Sequence, residues 1–80
     1  MKKKINLEKL IMSFLNKKNS NKIPLTKTTN FIVEGIIDSL IFIELIFFIE
    51  KKTKKKINLS KINIENFINI KTIMKTVKRL

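Results

Sequence analysis

Residues 31–49 are apolar nearly throughout, but Glu34, Asp38 and Glu44 interrupt the run. That combination constrains the fold more than any other feature of the chain. An acid near the centre of a membrane span costs about 2.5–3.5 kcal/mol, against gains of about 0.3–0.6 kcal/mol for each large apolar residue. Three acids therefore cancel most of what the apolar residues gain. The helical part, residues 39–49, also falls well short of the roughly 20 residues that a span requires. Stable membrane insertion is not expected, so the segment should pack against its own chain. On a helical wheel Phe42, Ile43, Leu45, Ile46 and Ile49 cover one broad face, which should be core. Ile41, Glu44, Phe48, Lys51 and Lys55 lie opposite, flanked by Leu40 and Phe47. A helix apolar nearly all round is either fully enclosed or has a second partner, and a chain this short buries only a modest core. The surface of Leu40, Ile41, Phe47 and Phe48, rimmed by Asp38 and Glu44, is therefore expected to dock onto another protein. Two alternatives stay open: Glu44 as a solvated helix residue, and Phe47 and Phe48 as core.

The rest of the chain supplies the elements for that packing. Leu7, Leu10, Ile11, Phe14 and Leu15 repeat at helical spacing. Asn6 can cap this first helix, with Glu8 in its first turn, and it should end near residues 16–18. Residues 19–29 are polar and hold the only proline, Pro24, so they read as a long ordered loop. Roughly 20 residues separate the first two helices, a length that usually signals function. Gly35, the only glycine, marks a backbone turn that a Cβ would hinder. Asp38 is then a good N-cap for a second helix over residues 39–52, whose C-terminal lysines suit the helix dipole. Residues 57–64 alternate Ile57, Leu59, Ile62 and Ile64 with polar residues; with no second convincing strand to pair with, an extended loop with its aliphatics inward is preferred. Asn63 can cap a one-turn helix through Phe67. Asn69 can cap a last helix with Ile70, Ile73, Met74 and Val77 on its apolar face. Met12 and Met74 read as core gap-fillers. The expectation is one domain over residues 1–80: an all-α, asymmetric four-helix bundle of three main helices plus one short one.

Composition narrows the function. There is no cysteine and no histidine. Disulfides, thiolate metal sites, a cysteine nucleophile and the commonest general base are absent together. Neither an enzyme acting alone nor a metal site is expected. The net charge of +12 suggests nucleic acid or an anionic membrane as partners. Two facts weaken that suggestion. The 17 Lys, 16 Ile and 9 Asn fill more than half of the chain, with no Ala, and all three have A/T-rich codons, so nucleotide composition alone enriches them. The single arginine, Arg79, is too few for phosphate and guanine recognition. Residues 28–50, moreover, hold Glu34, Asp38, Glu44 and Glu50 and no Lys or Arg. An acidic island in a basic chain calls for a reason of its own. Residues 1–4 resemble a basic signal n-region, but Asn6, Glu8 and Lys9 break up the apolar stretch after it and no small-residue cleavage site appears. A cytoplasmic location is expected.

The run Glu34-Gly35-Ile36-Ile37-Asp38-Ser39-Leu40, followed by Ile43, Glu44, Leu45 and Glu50, resembles the core motif of acyl and peptidyl carrier proteins. Downstream, Ile64-Glu65-Asn66-Phe67 with Asn69-Ile70 resembles the Glu-Asn-Phe element that opens the last two helices of free-standing carriers. Asp-Ser-Leu alone occurs by chance; the preceding Glu-Gly, the helix and the distant Glu-Asn-Phe make the likeness specific over nearly the whole chain. The resemblance implies the acyl-carrier-protein fold and a covalent 4'-phosphopantetheine on Ser39, transferred from coenzyme A by a phosphopantetheinyl transferase. It implies acyl or aminoacyl thioesters on that arm, an acyl-loading ligase or synthase as partner, and a monomer. Phe31, Ile43, Ile46 and Ile73 are the expected lining of an acyl pocket. Two departures stand out. Lysines over residues 51–56 replace acids expected after the second helix, and Ile41 stands where carriers often have Asp or Gly. Partners with a more apolar or acidic docking surface are implied. The phrasing is closer to carriers of amino-acid-loading or specialised pathways than to fatty-acid carriers. The alternative is a small basic helical protein that binds nucleic acid or an anionic membrane.

Overall fold

A computed structural model describes residues 6–20 and 22–79; the basic run at residues 1–4 lies outside them. The described residues form three α-helices and two 3₁₀ turns, with no strand among them. α1 spans Leu7–Lys18, α2 Ser39–Thr53 and α3 Ile70–Lys78. The 3₁₀ turns are Leu59–Lys61 and Ile64–Phe67. Each of the three α-helices begins where a side-chain oxygen takes up a first-turn N–H. Asn6 accepts from Lys9, Asp38 from Ile41 and Asn69 from Thr72, which satisfies donors that have no partner inside the helix. The last helix adds a reciprocal bond from the Asn69 N–H to the Thr72 hydroxyl, closing a capping box. α2 ends on Lys54 in the left-handed region, φ 59°, with its N–H on the Glu50 carbonyl.

One apolar cluster joins these elements. Ile11 and Leu15 of α1, Leu45, Ile46 and Ile49 of α2, and Ile70 and Ile73 of α3 are buried, with Phe31, Ile36, Ile37, Ile57 and Phe67 from the connections. Phe31 and Phe67 are the bulkiest of the fully buried side chains. Phe42 meets Phe67 edge to face at 5.1 Å between centroids, tying α2 to the second 3₁₀ turn. Met12 and Met74 pack against the cluster as partly buried fillers.

The segment after α2 departs from the expected extended loop. Asn58 accepts from the Ser60 N–H and winds Leu59–Lys61 into a 3₁₀ turn. Only Ile57 is buried; Ile62 and Ile64 are half-buried and Leu59 is exposed. Ile57 is drawn in because its N–H donates to the Glu50 carboxylate at 2.7 Å. Alternation of apolar and polar residues cannot reveal that bond, which bridges seven positions.

The long α1–α2 connection is organised by its own polar groups. The Asn19 amide is buried; it donates to the Ile23 carbonyl and accepts from the Ile23 N–H. Asn30 Oδ1 accepts from the N–H groups of Ile32 and Val33. The Phe31 carbonyl accepts from both Ile36 and Ile37, at 2.8 and 2.9 Å, and its N–H reaches the Ile68 carbonyl. Phe31 is thereby fixed in the core while residues 33–35 fold outward. Gly35 lies at φ 75° with open space where a Cβ would stand. The positive φ bears out the backbone turn expected at this glycine, and the open space shows that conformation and not crowding requires it.

Candidate functional site

Ser39 is the first residue of α2 and is exposed. The carboxylate of Asp38 accepts the Ile41 N–H at 2.8 Å, so the helix start is fixed one residue before the serine. No side-chain hydrogen bond engages the Ser39 hydroxyl among the described residues. The N–H groups of Ser39 and Leu40 open the helix beside it, where the dipole favours an anion.

An apolar surface adjoins this hydroxyl, but its membership differs from the one read off the helical wheel. Leu40 is 67% exposed and Phe47 60% exposed, which settles that Phe47 is not core. Ile41 and Phe48 are instead half-buried and pack against the core. Phe48 stacks on Phe14 of α1 with 4.8 Å between centroids, and the Lys52 ammonium sits 5.6 Å from its ring centre. Glu44 forms a 2.8 Å ion pair with Lys18 at the end of α1. α1 therefore covers the Glu44 and Phe48 side of α2. The second partner demanded by that two-faced helix is, on this side, the chain's own first helix. Glu44 is engaged within the molecule, and Asp38 in its cap.

What remains outside is narrower. Leu40 and Phe47 are seven residues apart and share a stripe of α2. Ile43 lies between them in helical spacing; it is half-buried and not packed against the core cluster. It therefore belongs beside the exposed stripe and not, as expected, to the core face. Val33, 77% exposed on the Gly35 turn, adds an apolar residue that the sequence reading missed. The signal was Asn30, whose Asx geometry sends Phe31 inward and leaves Val33 outside.

The residues expected to line an acyl pocket do not come together as a cavity. Phe31, Ile46 and Ile73 are sealed in the core, and Ile43 sits near the surface. None of the four lines the surface cavities of about 570, 380 or 220 Å³ found among the described residues. Inward-facing positions can be read from periodicity, but whether neighbours fill the space between them cannot. No group of acidic residues among the described ones is placed to hold a metal. No helix among them is long and apolar enough to cross a membrane. Comparisons of the chain with family models, curated proteins and solved structures found no match.

Proposed function

We propose that this chain is a carrier protein of the acyl-carrier type. It holds acyl or aminoacyl groups as thioesters on a 4'-phosphopantetheine arm at Ser39 and delivers them to partner enzymes. The observation that carries the reading is the Ser39 hydroxyl: exposed, without a side-chain hydrogen bond among the described residues, on the first residue of a helix whose start is fixed by Asp38. The surroundings fit an arm at this position. The hydroxyl is open to a transferase, and free N–H groups of the first turn favour a phosphate beside it. A bound arm would supply the terminal thiol that forms the thioester. The chain itself supplies position: Asp38 fixes the helix end, Gly35 and the doubly bonded Phe31 carbonyl fix the turn before it. Leu40 and Phe47, with Val33 on the turn, give a partner an apolar surface next to the reacting end. The catalytic groups then reside on the phosphopantetheinyl transferase and the loading enzyme, and the carrier works as a cytoplasmic monomer.

Transfer from fluorescent coenzyme A by a broad-specificity phosphopantetheinyl transferase tests this. Labelling of the wild-type chain, none of Ser39→Ala, and slower labelling of Leu40→Ser are the expected results. A wild-type chain that stays unlabelled beside a labelled control carrier defeats the reading.

One observation favours a second reading. Lys51, Lys54, Lys55 and Lys56 gather with the exposed Phe47 around a concavity of about 380 Å³ at the end of α2. A basic helical protein that binds nucleic acid or an anionic membrane would use such a cluster. Its affinity would fall steeply with salt, whereas transfer to Ser39 would not require it.

A further inference from the structure

A groove of about 570 Å³, of which Ser39 is not a lining residue, is formed by α1, the α1–α2 connection and α3. Half-buried Met74 supplies apolar surface to it, with the edge of buried Ile70 and with Thr28 completing the lining. Lys27 from the connection and Lys71, Lys75 and Lys78 from α3 surround it. Positions 71, 75 and 78 fall on one side of α3 by helical spacing, so three ammonium groups converge along one edge and Lys27 faces them from the loop. None of these four lysines has an ion-pair partner among the described residues. Glu8 on α1 is the one carboxylate at the groove.

We propose that this groove binds a single-chain amphiphile with a carboxylate head, such as a fatty acid anion. The volume falls in the range of small-molecule sites, about 300–1,000 Å³. The lysines supply charge complementarity that is not neutralised internally. Lysine ammoniums act as point charges that attract a carboxylate head without demanding one fixed geometry. The apolar lining takes the chain, and the Met74 thioether adapts to its shape. A nucleotide fits less well, because no aromatic side chain lines the groove to stack a base. Against the single Glu8 carboxylate the four lysines leave the groove net positive, which favours an anion. The site uses no residue of the carrier surface and stands independently of that reading.

The test is calorimetric titration of the whole chain with octanoate, decanoate and dodecanoate below micelle formation. Saturable one-to-one binding is expected, tightening by about fourfold for each added methylene. Lys71→Glu/Lys75→Glu, with its fold checked by circular dichroism, should weaken dodecanoate about tenfold or more. Should that variant unfold, Lys27→Glu, which lies outside any helix, should weaken it by about threefold. Ser39→Ala should bind as the wild type does. Equal binding of dodecyltrimethylammonium would reduce the groove to an apolar patch and overturn the proposal. Competition by inorganic phosphate or an acidic peptide as effective as dodecanoate would reduce it to a charged patch, with the same consequence. Absence of saturable binding would overturn it outright.

Discussion

Every helix and 3₁₀ turn among the described residues starts at an Asn or Asp whose side chain accepts a backbone N–H: Asn6, Asp38, Asn58, Asn63 and Asn69. Asn, one of the most abundant residues of the chain, thus sets most of the element boundaries. Asp38→Ala should destabilise the chain by about 1 kcal/mol, measured by urea unfolding, while Asp38→Asn should cost much less because the amide oxygen still caps. Gly35→Ala should cost about 1–2 kcal/mol, since alanine is strained at φ 75° even with open space around it. Lys54→Gly, at φ 59°, should shift stability the other way by about 0.5 kcal/mol. These residue-level features were legible wherever a side chain acts on its near neighbours; Asn6, Asp38, Asn63 and Asn69 were all read as caps. Asn19 was not, because its role depends on its amide folding back onto Ile23 while buried, and an Asn in a polar loop carries no mark of that.

At the scale of elements, α2 is the informative case. Its length and the burial of Leu45, Ile46 and Ile49 follow from periodicity, and so does its two-faced character. Which neighbour covers the second face does not follow, because a wheel records directions on one helix and not where the next helix lies. α1 lies over Glu44 and Phe48, and the exposed apolar surface of α2 shrinks to Leu40 and Phe47. The distinction is measurable. Phe67→Ala removes a fully buried ring that meets Phe42 and should cost about 3–5 kcal/mol, enough to unfold much of a chain this small. Phe47→Ser should leave the thermal midpoint within a few degrees of the wild type. A large loss with Phe47→Ser would show that α2 is packed on that side too. The Glu50 carboxylate, which holds the N–H of buried Ile57, makes the turn after α2 a packed part of the fold. Glu50→Ala leaves that donor unpaired and should cost about 1–3 kcal/mol in urea unfolding.

Taken as a whole molecule, the chain separates its charges. Residues 28–50 hold four acids and no base, while lysines crowd the end of α2 and the rim of the α3 groove. Ser39 stands in the middle of that acidic segment at the head of α2, next to exposed Leu40 and outside the lining of both lysine-rimmed concavities, with no side-chain hydrogen bond to its hydroxyl among the described residues. The helical bundle was legible in the sequence because its stripes and caps are local. The filled core was not, and the four residues expected to line an acyl pocket therefore mark packed interior and surface instead of a chamber. Under the proposed function, cargo on Ser39 would have to part those core residues or stay outside them. The proposed covalent arm is tested by the intact mass of the chain after incubation with coenzyme A and a broad-specificity phosphopantetheinyl transferase, followed by fragmentation to locate the modified residue. A single added phosphopantetheine mapped to Ser39, and lost in Ser39→Ala, is the predicted result. An unchanged mass, or an addition that persists in Ser39→Ala, contradicts it.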